Sequence, residues 1–191
     1  MRYSSVIGVR KSIVLIGMMG AGKSSVGACL RQQTGWRLLD TDEIVASTFG
    51  MWIPEIFAEH GEKKFREAET EALRSLPTTK QTIIVTGGGS VVRKQNIGIL
   101  KRFGAIVWLD GDEKTLFARA CRMQNRPLLQ TKNPRKSFSE MMGARRPLYS
   151  NIADIRVDTS VLTDEEVAVA ILAKLRRMNA KRESPISAKA S

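Results

Sequence analysis

The chain has 191 residues, enough for one α/β domain with a real core and too few for two. Its 42% hydrophobic and 26% charged residues place it among globular proteins and exclude a disordered or membrane-embedded composition. The formal charge of +12, from 31 Lys and Arg against 19 Asp and Glu, attracts any polyanion, so charge alone does not separate a nucleotide site from a nucleic-acid surface.

Residues 1–11 carry basic side chains, but the apolar run that follows, Ile13 to Ile16, is too short for a signal-peptide core or a membrane span. A cytoplasmic location is therefore expected. Residues 12–17 (SIVLIG) read as a buried strand and 23–33 as a helix. A strand at 36–39 (WRLL) precedes a helix at 42–49, and His60 ends a short helix before Gly61. A charged helix at 62–76 leads to a strand at 82–86 (TIIVT), then a helix at 93–103 and a strand at 105–109 (AIVWL). Residues 112–122 are helical, with Asp112 as N-cap. The stretch 123–135, MQNRPLLQTKNPR, holds two prolines and many polar residues and reads as a loop. A helix at 136–145, a strand at 154–157 (DIRV) and a helix at 163–178 follow, the last opened by Thr163 and Glu166 as a capping box. Residues 180–191 read as a flexible basic tail.

Short apolar runs alternating with helices mean strands buried on both faces, hence a parallel sheet joined by right-handed crossovers. Residues 1–179 are expected to form this one α/β domain, with a mobile lid at about 123–136. Cys29 and Cys121 belong to no CxxC pair and suggest neither a disulfide nor a zinc site. Each reads as a small packing residue on a helix. His60, the one histidine, leaves little material for histidine-based chemistry.

Residues 17–24, GMMGAGKS, match GxxxxGK[ST] at a strand-to-helix junction. The glycines let successive N–H groups turn toward phosphate oxygens, and the helix that follows presents its positive end to the same anion. Lys23 would bridge the β- and γ-phosphates and Ser24 would ligate Mg²⁺. A chance match in such a chain is on the order of one in a hundred, so ATP binding is the expectation. Asp40 and Asp42 follow the second strand, where an α/β sheet places its ligands. They could anchor a metal and orient an attacking hydroxyl, or simply cap the next helix. Gly87, Gly88 and Gly89 follow the third strand and point to close approach of a ligand to bare backbone.

Taken in order, GMMGAGKS, LLDTD at 38–42, GEKKFREAE at 61–69, GGG at 87–89, RPLL at 126–129 and RRPLY at 145–149 resemble the shikimate kinases over about residues 13–175. The resemblance implies a single-domain P-loop kinase fold with a five-stranded parallel sheet flanked by helices, acting as a monomer. ATP would be co-substrate, Mg²⁺ the metal, and the 3-hydroxyl of shikimate the acceptor, within aromatic amino acid biosynthesis. Gly20, Ala21, Gly22, Lys23, Ser24 and Ser25 would hold the nucleotide, with Arg119 stacked on adenine. Asp42, Arg66, Gly87, Gly88, Gly89 and Arg145 would hold shikimate. Asp40, through water, and Ser24 would hold Mg²⁺. Arg126 would close over the transferring phosphate, so that Lys23, Asp42 and Arg126 carry the catalysis.

Two guanidinium forks suit a carboxylate bearing hydroxyls in a way lysine does not. The chain also departs from the pattern. Relatives often carry an adenine-facing arginine after the last strand, whereas residues 158–166 read DTSVLTDEE. Arg146 stands beside Arg145, and the RxPLY register selects Arg145. A kinase for gluconate or an aminoshikimate is the nearest alternative. A nucleic-acid-associated NTPase has neither a reader motif nor a stacking platform at 6% aromatic residues, so no nucleic-acid or membrane partner is expected.

Overall fold

The structure, a computed structural model, describes residues 12–77, 81–122 and 126–183, the last three by backbone alone. The expectations for residues 1–11, for 123–125 within the lid, and for 184–191 of the tail lie outside the described residues.

Five parallel strands form the sheet: β1 (Ser12–Gly17), β2 (Arg37–Asp40), β3 (Thr82–Val85), β4 (Gly104–Asp110) and β5 (Ile155–Asp158), in the order β2-β3-β1-β4-β5. β1 is central because its residues Ile13, Val14, Leu15 and Ile16 have no polar side to show to water. All four are fully buried, with Ile13 between Ile83 of β3 and Ala105 of β4. The edge strand β5 alternates buried and exposed residues, as one-sided cover demands. The connecting helices are α1 (Lys23–Thr34), α2 (Thr41–Phe49), α3 (Ile53–Ser75), α4 (Lys94–Phe103), α5 (Glu113–Cys121), α6 (Pro134–Ile152) and α7 (Asp164–Glu183). The chain passes from β1 to one side of the sheet and later to β4 on the other, which opens a crevice at the carboxyl end of β1.

Four boundaries depart from expectation. α2 starts at Thr41, because the Asp40 side chain caps it. α3 (Ile53–Ser75) joins the short helix expected to end at His60 to the helix expected from residue 62, with a bend at Gly61, whose φ of 73° and ψ of 169° break the helical path. Ile56 and Phe65, on either side of that bend, join Val45 of α2 and Ala72 in a small apolar cluster of their own. α6 continues past residue 145 and through Pro147 to Ile152. Phe138, Met142, Arg145, Tyr149 and Ile152 form one buried stripe at helical spacing, and burying the large side chains outweighs the roughly 3 kcal/mol cost of an internal proline. α7 extends to Glu183, so residues 180–183 are helical where a tail was expected. The 123–135 stretch contains a 3-10 turn at Pro127–Leu129, and Pro134 opens α6 with Asn133 as N-cap. Cys29 packs against the main core as expected, but Cys121 is exposed. No described helix is long and apolar enough to cross a membrane.

Candidate active site

The loop between β1 and α1 surrounds an open helix end. Gly22, the N-cap of α1, lies in the left-handed region at φ 79° and offers no side-chain cap, leaving the first N–H groups of α1 directed outward. Lys23 Nζ donates to the carbonyl oxygens of Gly17 and Met18, each at 3.0 Å. Burial depresses its pKa to about 8, against the opposing pull of Asp42 and Asp40. Gly20, Gly22, Lys23, Ser24 and Ser25 line a cavity of about 520 Å³. Ala21 does not: it is fully buried, and its N–H donates to the Met18 carbonyl at 3.2 Å within the loop.

Asp40 and Asp42 divide their tasks. Asp40 Oδ1 accepts from the Asp42 N–H at 2.9 Å and Oδ2 accepts from Ser24 Oγ at 3.1 Å. Asp40 thus caps α2, as one reading of this residue expected, and its second oxygen stands beside the phosphate loop. The Asp42 side chain turns the other way: its Oδ1 is buried without a hydrogen-bond partner among the described residues, and it lines both the first cavity and a neighbouring one. Desolvation, with Asp40 and Glu69 nearby, raises its pKa to about 6, although Lys23 and Arg126 pull the other way.

That neighbouring cavity, about 480 Å³, is lined by Asp42, Arg66, Gly87, Gly88, Gly89, Arg126 and Arg145 among others. Arg66 projects from α3, buried, with its fork held by Glu69 Oε2 at 3.0 Å and Glu62 Oε1 at 3.1 Å. A side chain at Gly89 would collide with that guanidinium, so the residue must be glycine for Arg66 to lie across the loop. Arg145, also buried, arrives from α6, and one turn on the Tyr149 hydroxyl donates to the Gly88 carbonyl oxygen. Burial pushes the Tyr149 phenol up to about 12. Arg146 leaves the site and binds Asp110 with contacts of 3.2 and 3.0 Å, which separates the two adjacent arginines.

Arg119 lines the first cavity, near Thr159 Oγ1 at 3.4 Å, together with Leu162, Thr163, Asp164 and Glu165. The loop after β5 therefore reaches this cavity without an arginine. Arg126 lines both cavities and its Nε is buried without a partner among the described residues. His60 stays at the bend before Gly61, its ring 5.2 Å from that of Phe49.

Three further positions at the site are marked by the structure. Glu69, one of the charges of a strongly charged helix, is fully buried and accepts from Arg66 and, at 2.6 Å, from Ser90 Oγ. Its spacing of three from Arg66 was the available signal. Tyr149 appeared only as part of a motif. Arg122, on the wall of both cavities, had no signal beyond its proximity to the lid.

The shikimate kinase family model matches residues 19–176. A shikimate kinase of Thermodesulfovibrio yellowstonii is 42% identical over 169 residues, spanning 88% of this chain and 97% of that protein. A solved shikimate kinase from Acinetobacter baumannii in complex with shikimate superposes with a TM-score of 0.86 at 32% identity, covering 95% of this chain and 99% of its own. A gluconokinase from Sinorhizobium meliloti shares the fold at 20% identity and a TM-score of 0.56, covering 92% of this chain and 98% of its own.

Proposed function

The chain belongs to the shikimate kinase family, and from that premise we infer that it transfers the γ-phosphoryl group of ATP to the 3-hydroxyl of shikimate. The observation that carries this reading is the meeting of two cavities at Asp42, Gly88 and Arg126. One cavity is built on a phosphate loop, and the other holds two buried arginines and a glycine-lined floor.

The acceptor's carboxylate fits the guanidinium forks of Arg66 and Arg145, and its ring hydroxyls fit Asp42 and the backbone of Gly87, Gly88 and Gly89. The hydroxyl oxygen attacks the γ-phosphorus, the bond from that phosphorus to the β,γ-bridging oxygen breaks, and the hydroxyl proton passes to the Asp42 carboxylate. A carboxylate held near pKa 6 by burial can accept that proton at neutral pH. Lys23 and Arg126 balance the charge on the phosphoryl oxygens, and the N–H groups at the start of α1 hold the nucleotide. Arg119 and Leu162 flank the space left for adenine, the apolar side chain standing where relatives often use an arginine.

Ser24 and Asp40 offer a hydroxyl and a carboxylate beside the phosphate loop, hard oxygen donors that suit Mg²⁺. When bound there, the ion would neutralise phosphate charge. Action as a monomer in the cytoplasm, with ATP and shikimate as its partners, belongs to the same proposal. A coupled assay with shikimate, quinate and gluconate tests the reading: ADP formation that depends on shikimate and Mg²⁺ is expected, and turnover of gluconate alone would overturn it.

A further inference from the structure

We propose that Arg122 is a second phosphoryl-binding arginine of this enzyme, contacting the group in transfer and the phosphate of the product while leaving the unphosphorylated acceptor untouched. The inference rests on the kinase reading above. Five residues line both the acceptor cavity and the nucleotide cavity: Met19, Asp42, Gly88, Arg122 and Arg126. A phosphoryl group passing from one to the other crosses that wall. Met19 and Gly88 bring no charge and Asp42 brings a negative one, so among the residues shared by both cavities the cations are Arg122 and Arg126, with Lys23 beside them in the nucleotide cavity.

Arg66 and Arg145 are assigned to the acceptor's carboxylate, and three arginines near the site already meet partners of their own. Arg66 is held by Glu62 and Glu69, Arg146 by Asp110, and Arg119 reaches Thr159. Arg122 is exposed, and among the described residues its side chain has neither a hydrogen bond nor an ion pair. Its backbone is fixed all the same, at φ −68° and ψ −20°, with its N–H donating to the Ala120 carbonyl at the end of α5. A free guanidinium on an anchored backbone can grip phosphate oxygens in a bidentate way. Placement at a helix C-terminus would alone favour a cation, but that role does not require a position on both cavities.

The test compares wild type with Arg122→Ala and Arg122→Lys in steady-state kinetics and in calorimetric titration with shikimate and with shikimate 3-phosphate, each in the presence of ADP. For Arg122→Ala, kcat and the affinity for shikimate 3-phosphate should each fall about tenfold, while shikimate affinity changes less than about twofold. Arg122→Lys should recover part of both losses. Unchanged kcat and product affinity, or equal weakening of shikimate and its phosphate, would overturn the inference while the wild-type activity still stood. A wild type with no shikimate-dependent turnover would instead remove the reading on which the inference rests.

Discussion

The backbone N–H of Asp42 donates to Asp40 Oδ1 at 2.9 Å, and this one bond lets two carboxylates separated by a single residue face different chemistry. Continued strand geometry would have put both on one face. Instead Asp40 ends β2, caps α2 and keeps its second oxygen for Ser24, while Asp42 begins the first turn and enters the acceptor cavity.

Asp42→Asn should separate stability from activity. Because burial raises the pKa of Asp42 from 3.8 to about 6, the folded state binds its proton more tightly than the unfolded state. Its favourable contribution is therefore complete below about pH 4 and gone above about pH 6, a loss of about 3 kcal/mol at neutral pH. In the protein free of nucleotide and metal, Asp42→Asn should raise the thermal midpoint at pH 7 and flatten this pH dependence, while shikimate-dependent turnover drops at least about a hundredfold. A lowered midpoint at pH 7 would contradict the account.

Lys23→Met should abolish phosphoryl transfer, by about a hundredfold or more, through loss of the charge that bridges the phosphates. Its own titration runs opposite to that of Asp42. With the folded pKa lowered to about 8, holding the ammonium in the fold costs stability at pH 7, and the cost disappears as pH rises above about 8. The variant should therefore fold at least as well as wild type in denaturant titration, and near-normal turnover would disprove the role.

Arg66→Lys should raise the KM for shikimate about tenfold and leave the KM for ATP within about twofold, because a lysine gives up the bidentate fork. Glu69→Gln should act in the same direction. It weakens the buried pair at 3.0 Å and the hold on Ser90, and it should cost about 3 kcal/mol of stability, since it leaves Arg66 without its buried counter-charge. Equal effects on both KM values would place Arg66 outside the acceptor site.

Tyr149→Phe removes one hydrogen bond to the Gly88 carbonyl oxygen and little volume. A stability loss of about 1 kcal/mol is expected, together with a rise in shikimate KM of about threefold as the glycine loop relaxes. Unchanged kinetics across the full range of shikimate concentration would show that the loop holds its shape without the tyrosine.

Much of the fold was legible because its signals are local. The apolar run at 13–16 can only be a strand covered on both faces, and the GxxxxGK[ST] spacing at 17–24 demands a strand before it and a helix after it. The boundaries that failed depend on distant partners. Pro147 argues for a helix end until Tyr149 and Ile152 are seen to be buried, and the joining of two helices into α3 across Gly61 depends on a small cluster with α2. Glu69 shows the same limit within the site. Among the charges of GEKKFREAE nothing local marks it as buried, and only the approach of Ser90 and the glycine loop excludes water from it.

By itself the sequence determined the alternation of strands and helices along the chain and the phosphate loop, because each rests on spacing within a few residues, and the family, because its motifs occur in one order over most of the chain. Tertiary structure alone decided that Arg146 turns to Asp110, that Asp40 caps α2 while keeping its second oxygen for Ser24, and that Arg122 stands where two cavities meet. Those outcomes depend on the directions side chains take once helices have packed on the sheet, and direction is set by the partners a residue finds: Asp110 for Arg146, and the end of α2 for Asp40.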